Sequence, residues 1–185
     1  RAYYLTGSQA STNYSVTIRA FDINTFLQVG SLTIPGINGE VGPLVRWGSN
    51  GLAFSTQGGQ LFIVQTTLIP SADPIPTPTP DSFPSPTPTP TPVPFFIRPV
   101  PLINNDIAYS STTGLFYASV PSAAGITGNS IQAINPETGA LGSSVFIGSE
   151  PTKLAMSDDN QTLYVGLEGA ASARKLNVVS QTATP

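Results

Sequence analysis

The sequence predicts an all-β protein assembled from four-stranded antiparallel units, and three observations predict it. Short runs rich in β-branched and aromatic residues recur along the chain, each bounded by Gly, Pro, Asn or Ser. No window of about 11 residues or more carries apolar side chains at helical spacing. A block from the first third of the chain also returns further on. The runs, in order, are AYYLTG, SVTIRAF, GSLTIPG, GLAFST, QLFIVQTTLI, GLFYASV, NSIQAI, SVFIG, TLYVGL and KLNVV.

The recurrence orders them. Ile18-Arg-Ala-Phe-Asp-Ile-Asn-Thr25 answers to Ile131-Gln-Ala-Ile-Asn-Pro-Glu-Thr138, and Ile34 to Ile147, all at one constant offset. The same offset sets Tyr3-Tyr4-Leu5 against Phe116-Tyr117-Ala118. Downstream, Pro43-Leu44 and Trp47–Asn50 correspond to Thr152–Leu154 and Ser157–Asn160, and Asn105–Ala118 is a third partial copy. On that motif the step from Leu44 to Ile107 is longer than the step from Ile107 to Leu154 only because residues 70–94 intervene. With that insert set aside, both steps lie near the spacing of propeller blades, four strands in about 40–47 residues. On this reading the chain supplies between two and three blades.

The interruption is PIPTPTPDSFPSPTPTPTPVP, residues 74–94, in which nearly every second residue is proline and lacks an N–H for any ladder. It predicts a polyproline-II linker over 70–101, joining a blade module at 1–69 (the end of one propeller) to another at 102–185 (the start of the next). Every proline in it has an even number, so no two stand three apart, as a PxxP ligand requires. With three residues per turn, successive threonines face different sides of such a rod, which at about 3.1 Å per residue would reach about 65 Å. Thr77, Thr79, Ser82, Ser85, Thr87, Thr89 and Thr91 are O-glycosylation candidates, because Ser/Thr with Pro is the composition of glycosylated stalks. Asn13 and Asn160 open two N-glycosylation triplets. Phe83, Phe95, Phe96 and Ile97 are the apolar residues expected to dock the linker on the β modules.

Two segments, TIRAFDINTFLQVGSLTIPG and SIQAINPETGALGSSVFIGSEPTKLAMSDDNQTLYVGL, resemble the YVTN repeats of bacterial and archaeal surface-layer β-propellers. The match is best over Glu150-Pro151, Leu154-Ala155, Ser157-Asp158 and Leu163-Tyr164-Val165, with Asp159-Asn160 standing for Asp-Gly. Trp47-Gly-Ser-Asn50-Gly51 departs from the pattern. The resemblance implies a propeller fold at a prokaryotic cell surface and, since that fold carries many activities, no particular chemistry.

Composition narrows the chemistry. Charged residues are 9% of the chain and the net charge is −3 with seven basic residues, too few and too scattered for nucleic acid. There is no His and no Cys, which removes thiolate nucleophiles, His bases and the usual zinc, copper or haem ligands. No apolar run reaches the roughly 18 residues of a membrane helix. Asp158-Asp159-Asn160 has oxygens for Ca²⁺ but not the alternating spacing of a calcium loop, and an Asx turn accounts for it. Asp22 and Glu137 are spaced by the repeat and do not converge as an acid–base pair. Gly7 and Gly58-Gly59 read as hairpin turns. Trp47 reads as packing between blades, with a sugar platform as the alternative.

The sequence therefore predicts a non-enzymatic protein with no cofactor and no bound metal. Its leading reading is a self-associating component of an extracellular filament, sheath or surface layer. The alternative is a surface propeller that binds a carbohydrate or protein ligand.

Overall fold

A computed structural model describes residues 1–8, 14–69 and 95–185. Thr77, Thr79, Ser82, Phe83, Ser85, Thr87, Thr89, Thr91 and Asn13 lie outside the described residues. The described chain forms fifteen strands in four antiparallel sheets. The first sheet has three strands, β1 (Ala2–Ser8), β2 (Tyr14–Phe21) and β3 (Gln28–Ile37). The second orders β4 (Val45–Trp47), β5 (Gly51–Thr56), β6 (Gln60–Gln65) and β7 (Phe96–Pro101). The third runs β8 (Asp106–Ser110), β9 (Leu115–Val120), β10 (Ser130–Ile134) and β11 (Leu141–Phe146). The fourth runs β12 (Pro151–Met156), β13 (Thr162–Leu167), β14 (Ser172–Asn177) and β15 (Thr182–Thr184).

Alternation decides how the sheets stack. Every second residue of a strand points to the same face, and each pair of successive sheets buries one shared apolar layer. Ile18 and Ile34 of the first sheet meet Leu52, Phe54, Phe62 and Val64 of the second. The second sheet's other face sets Trp47, Ala53, Leu61 and Ile63 against Ile107, Phe116 and Ile134 of the third. The third in turn sets Tyr117, Ile131 and Ile147 against Leu163, Val165 and Leu176 of the fourth. The second sheet is buried on both faces, so β5 is buried at every position and β6 at all but its first.

Two sequence expectations change. Residues 96–101, assigned to the linker, form β7 and pair with β6 from Gln65↔Phe96 to Gln60↔Pro101. The Pro-rich segment therefore interrupts a hairpin within one blade, where a connector between modules was expected, and the blade count is four sheets. Pro99 and Pro101 hid this strand. An outermost strand tolerates proline because one side of its backbone has no ladder to complete.

The offset also slips by one at β1. Tyr3 pairs with Ala20 and Tyr117 with Ala133, and Ala20 and Ala133 are the residues that the repeat sets against each other. Tyr3, then, is the counterpart of Tyr117. A slip of one residue exchanges the two faces of a strand, so this assignment decides which tyrosine lies between blades.

Gly51 sits opposite Trp47 in the β4–β5 ladder, and a Cβ on it would lie 2.1 Å from the indole ring. Gly51→Ala is expected to destabilise the fold by about 1–3 kcal/mol through overpacking. Urea unfolding would show it, and an unchanged midpoint would mean that the indole has room to move.

Candidate functional site

Among the described residues no group of three or more His, Cys, Asp or Glu could hold a metal ion. Asp158-Asp159-Asn160 forms a self-satisfied turn. Asp159 Oδ1 accepts from Ser157 Oγ at 2.5 Å and from the Gln161 N–H at 3.0 Å, and these bonds hold its carboxyl below the ordinary value. The turn is also sewn to the preceding blade. Ser110 Oγ donates to the Asn160 carbonyl at 2.6 Å and Thr112 Oγ1 to that of Asp159 at 3.2 Å. Asn160, an N-glycosylation candidate, donates from Nδ2 to the Asp158 carbonyl at 3.1 Å.

Asp22 begins a different device. Its Oδ1 accepts from the Thr25 and Asn24 N–H groups, both at 2.9 Å, which lowers its pKa. Its counterpart is Asn135, which accepts from Glu137 at 2.8 Å and Thr138 at 3.0 Å. Asn177 does the same for Val179 at 3.1 Å and Ser180 at 2.8 Å. Three blades thus close their outer hairpin with one Asx-capped turn whose fifth residue is left-handed: Phe26 (φ 58°), Gly139 (φ 73°) and Gln181 (φ 56°). Glu137 is the third residue of its turn, so Asp22 and Glu137 do not hold matching positions.

Two of these turns, at Asn135 and Asn177, are where a blade is latched by the one before it, and the second blade is latched at Leu68, after β6. Tyr117 Oη donates to the Val178 carbonyl at 3.3 Å, and Tyr3 Oη to the Leu68 carbonyl at 3.5 Å, so two junctions share one bond. At the junction between them Arg98 takes this part, donating to the Pro136 and Glu137 carbonyls at 3.3 and 2.6 Å. Pro136 and Val178, each directly after the capping Asn, are buried against the preceding blade. Burial raises the Tyr117 pKa above 10.0, keeping the hydroxyl a donor. A raised acid pKa contributes stability that is present below pH 10 and lost as the pH rises through the folded value. Tyr117→Phe is expected to lose about 0.5–1.5 kcal/mol at neutral pH and to flatten the alkaline limb of the stability curve. A curve parallel to wild type above pH 10 would assign that limb to other groups.

The remaining candidates fall to structure. Trp47 is 4% exposed between the second and third blades, and its Nε1–H donates to the Leu52 carbonyl at 3.2 Å. Gly58-Gly59 makes the β5–β6 turn. Phe96 packs beside Trp47 and Ile97 beside the first-to-second layer, while Phe95 is 57% exposed. Asp106, which sequence reasoning passed over, is a buried carboxylate whose Oδ2 accepts the Leu154 N–H at 3.1 Å, tying β8 to β12. An isolated Asp at the head of a strand gives no sign of this in sequence. Two clefts open at the loop ends. One of about 640 Å³ lies between Tyr14 and the Asn38–Val41 loop, and one of about 530 Å³ is walled by Ile103, Pro121, Glu150 and Glu168.

Sheets of this order, stacked face to face in sequence, match known structures across nearly the whole chain. A chain of the mitotic checkpoint complex aligns over 98% of this chain and 50% of its own, with TM-score 0.58 and 11% identity. Kuenenia stuttgartiensis hydrazine synthase aligns over 98% and 47%, with TM-score 0.62 and 12% identity. The fold is β-propeller-like. A functionally unknown protein from Desulfotomaculum acetoxidans aligns over 97% and 53%, with TM-score 0.55 and 14% identity. The chain spans about half the length of these three chains, and at such identities the likeness is one of fold alone. No family model and no curated protein matches the sequence.

Proposed function

We propose that the chain is a structural component of an extracellular filament, sheath or surface layer, self-associating and carrying O-glycans on its Pro/Thr segment. The observation that carries this reading is the placement of the segment. The chain leaves the second blade after Ile69 and returns to it at Phe96 as its outermost strand, and the sequence between those points is the proline-rich stretch that carries the candidate Ser and Thr hydroxyls. The 9% charge content supports it, since covalent sugar supplies the solubility that charged side chains otherwise would.

Mass spectrometry of peptides covering residues 71–98 tests the reading. Increments of sugar mass on Thr87, Thr89 or Thr91 are expected, and bare peptide alone would remove it. The second reading is a cell-surface module that binds a carbohydrate or protein ligand. It draws on the cleft beside Ile103 and Glu168. Electron microscopy separates the two: long periodic fibres support the first, discrete particles the second.

A further inference from the structure

The chain has two Asn-Gly pairs, Asn38-Gly39 and Asn50-Gly51, and the fold treats them oppositely. Such a pair is open to attack from within, because a glycine nitrogen with no Cβ beside it reaches the carbonyl carbon of the preceding side chain. At the second pair the attack is blocked. Asn50 is 7% exposed, its Oδ1 accepts from Gln65 Nε2 at 3.1 Å, and Gly51 is pressed against the Trp47 indole. Closing a ring there would break the Gln65 bond and displace the tryptophan.

The first pair lies in the loop between β3 and β4, and Asn38 is exposed. The loop is strapped along the β5–β6 turn. The Gly58 N–H donates to the Asn38 carbonyl at 3.0 Å, the Gln57 N–H to that of Glu40 at 2.9 Å, and the Gly42 N–H to that of Ser55 at 2.8 Å. The Asn38 N–H donates to Gln60 Oε1 at 2.7 Å. The Gly39 N–H, in the middle of the strap, meets no acceptor among the described residues. The Asn38 side chain is held only by Nδ2 donating to the Gly58 carbonyl at 3.5 Å, a long and weak bond. Nucleophile and target are therefore adjacent and unengaged.

We propose that Asn38-Gly39 is a self-modification site, where the loop deamidates through a succinimide and the strap between the first two blades slackens. The Gly39 nitrogen gives its proton to water and bonds to Asn38 Cγ, and the side-chain nitrogen leaves as ammonia. Water then opens the five-membered ring. Attack at Cγ restores the main chain with an aspartate at position 38. Attack at the main-chain carbonyl gives isoaspartate, whose backbone runs through the former side chain.

Either product places a new carboxylate two residues from Glu40, which already accepts from Gln57 Nε2 at 3.3 Å, and takes the net charge from −3 to −4. Either one also loses the Nδ2 donor and sets an anion against the Gly58 carbonyl. Isoaspartate adds a methylene to the main chain just before Gly39, which lies so close to the turn that a Cβ on it would be 2.9 Å from the Gly58 nitrogen. The extra atom shifts the strap's register against Gln57 and Gly58. The same loop walls the cleft beside Tyr14, so conversion reshapes its mouth.

Ageing the native chain at mildly alkaline pH tests this, with peptides mapped by mass and by isoaspartate labelling. Position 38 is expected to convert about tenfold faster than position 50 or more, since Asn50 must wait for its part of the second blade to open. Asn38→Gln, which would have to close a larger ring, is expected to stay unconverted over the same period. Equal rates at the two positions, or no conversion at 38, would overturn the site. Hydrogen exchange on the converted fraction reads the strap: the Gln57 and Gly58 amides are expected to exchange about tenfold faster than in fresh protein, while those of β13 and β14 keep their rates. Unchanged protection at Gln57 and Gly58 would overturn the slackening.

Discussion

Trp47→Ala is expected to lower the stability of the whole stack by about 3–5 kcal/mol, the cost of emptying a buried tryptophan site. The indole is the widest filler of the layer between the second and third blades. It meets Phe116 edge-on at 6.2 Å and Phe96 at 6.5 Å, and Gly51 leaves room for it in the facing strand. Backbone ladders hold the strands on either side in place, so the cavity cannot collapse without bending both sheets. For a domain of this size the loss is a fall of roughly 10 °C in Tm. Calorimetry would measure it. A fall under about 1 kcal/mol, within the range of surface substitutions, would mean that Trp47 leaves the layer in solution and would return it to the role of a sugar platform.

A single proteolytic cut within residues 80–90 is expected to leave the two fragments bound to one another. The fragment that follows the cut contributes β7, whose pairs with β6 run from Phe96 to Pro101. It also carries Val100 and Phe96 into the Trp47 layer, Ile97 into the preceding one, and Arg98 to the carbonyls of Pro136 and Glu137. Size-exclusion chromatography of the nicked protein should give one peak at the intact size, resolving into two fragments only in denaturant. Independent modules at 1–69 and 102–185 would instead drift apart. Two native peaks would restore the linker reading and overturn the strand assignment of 96–101.

Much of the fold was legible because its signals are local. SVTIRAF alternates buried and half-buried side chains, and SIQAI is buried throughout, so both announce strands whatever lies beside them. The internal repeat found β2 and β3 again in β10 and β11, with the pairings Ile18↔Leu32 and Ile131↔Val145 in matching places. What escaped was non-local. Phe-Ile-Arg-Pro-Val-Pro looks like the end of a proline tract until β6 is placed beside it. The double tyrosine Tyr3-Tyr4 fits the repeat in two registers, and only the Ala20 and Ala133 pairings choose between them. The latch was hidden for the same reason. A tyrosine that bonds a carbonyl 61 residues away has no sequence signature, and its role appears only when three blades are superposed.

The placement of the Pro-rich segment also bears on the order in which the chain folds. Within the third and fourth blades strand neighbours are close in sequence: Ser110↔Leu115 and Leu167↔Ser172 each enclose four residues, and Ile134↔Leu141 encloses six. Gln65↔Phe96 encloses thirty. Closing thirty residues instead of four costs roughly 2 kcal/mol more in chain entropy, scaling as the logarithm of loop length. That cost falls before any contact of β7 is made, so the second blade closes late. The third and fourth blades then form the nucleus, and the first waits for the second's Leu52 and Phe54 to cover Ile18 and Ile34. Leu163, in the layer between the third and fourth blades, is expected to show a high φ-value, and Val64 a low one. Shortening the segment should slow unfolding while leaving the folding rate nearly where it was, since the loop closes only after the nucleus has formed.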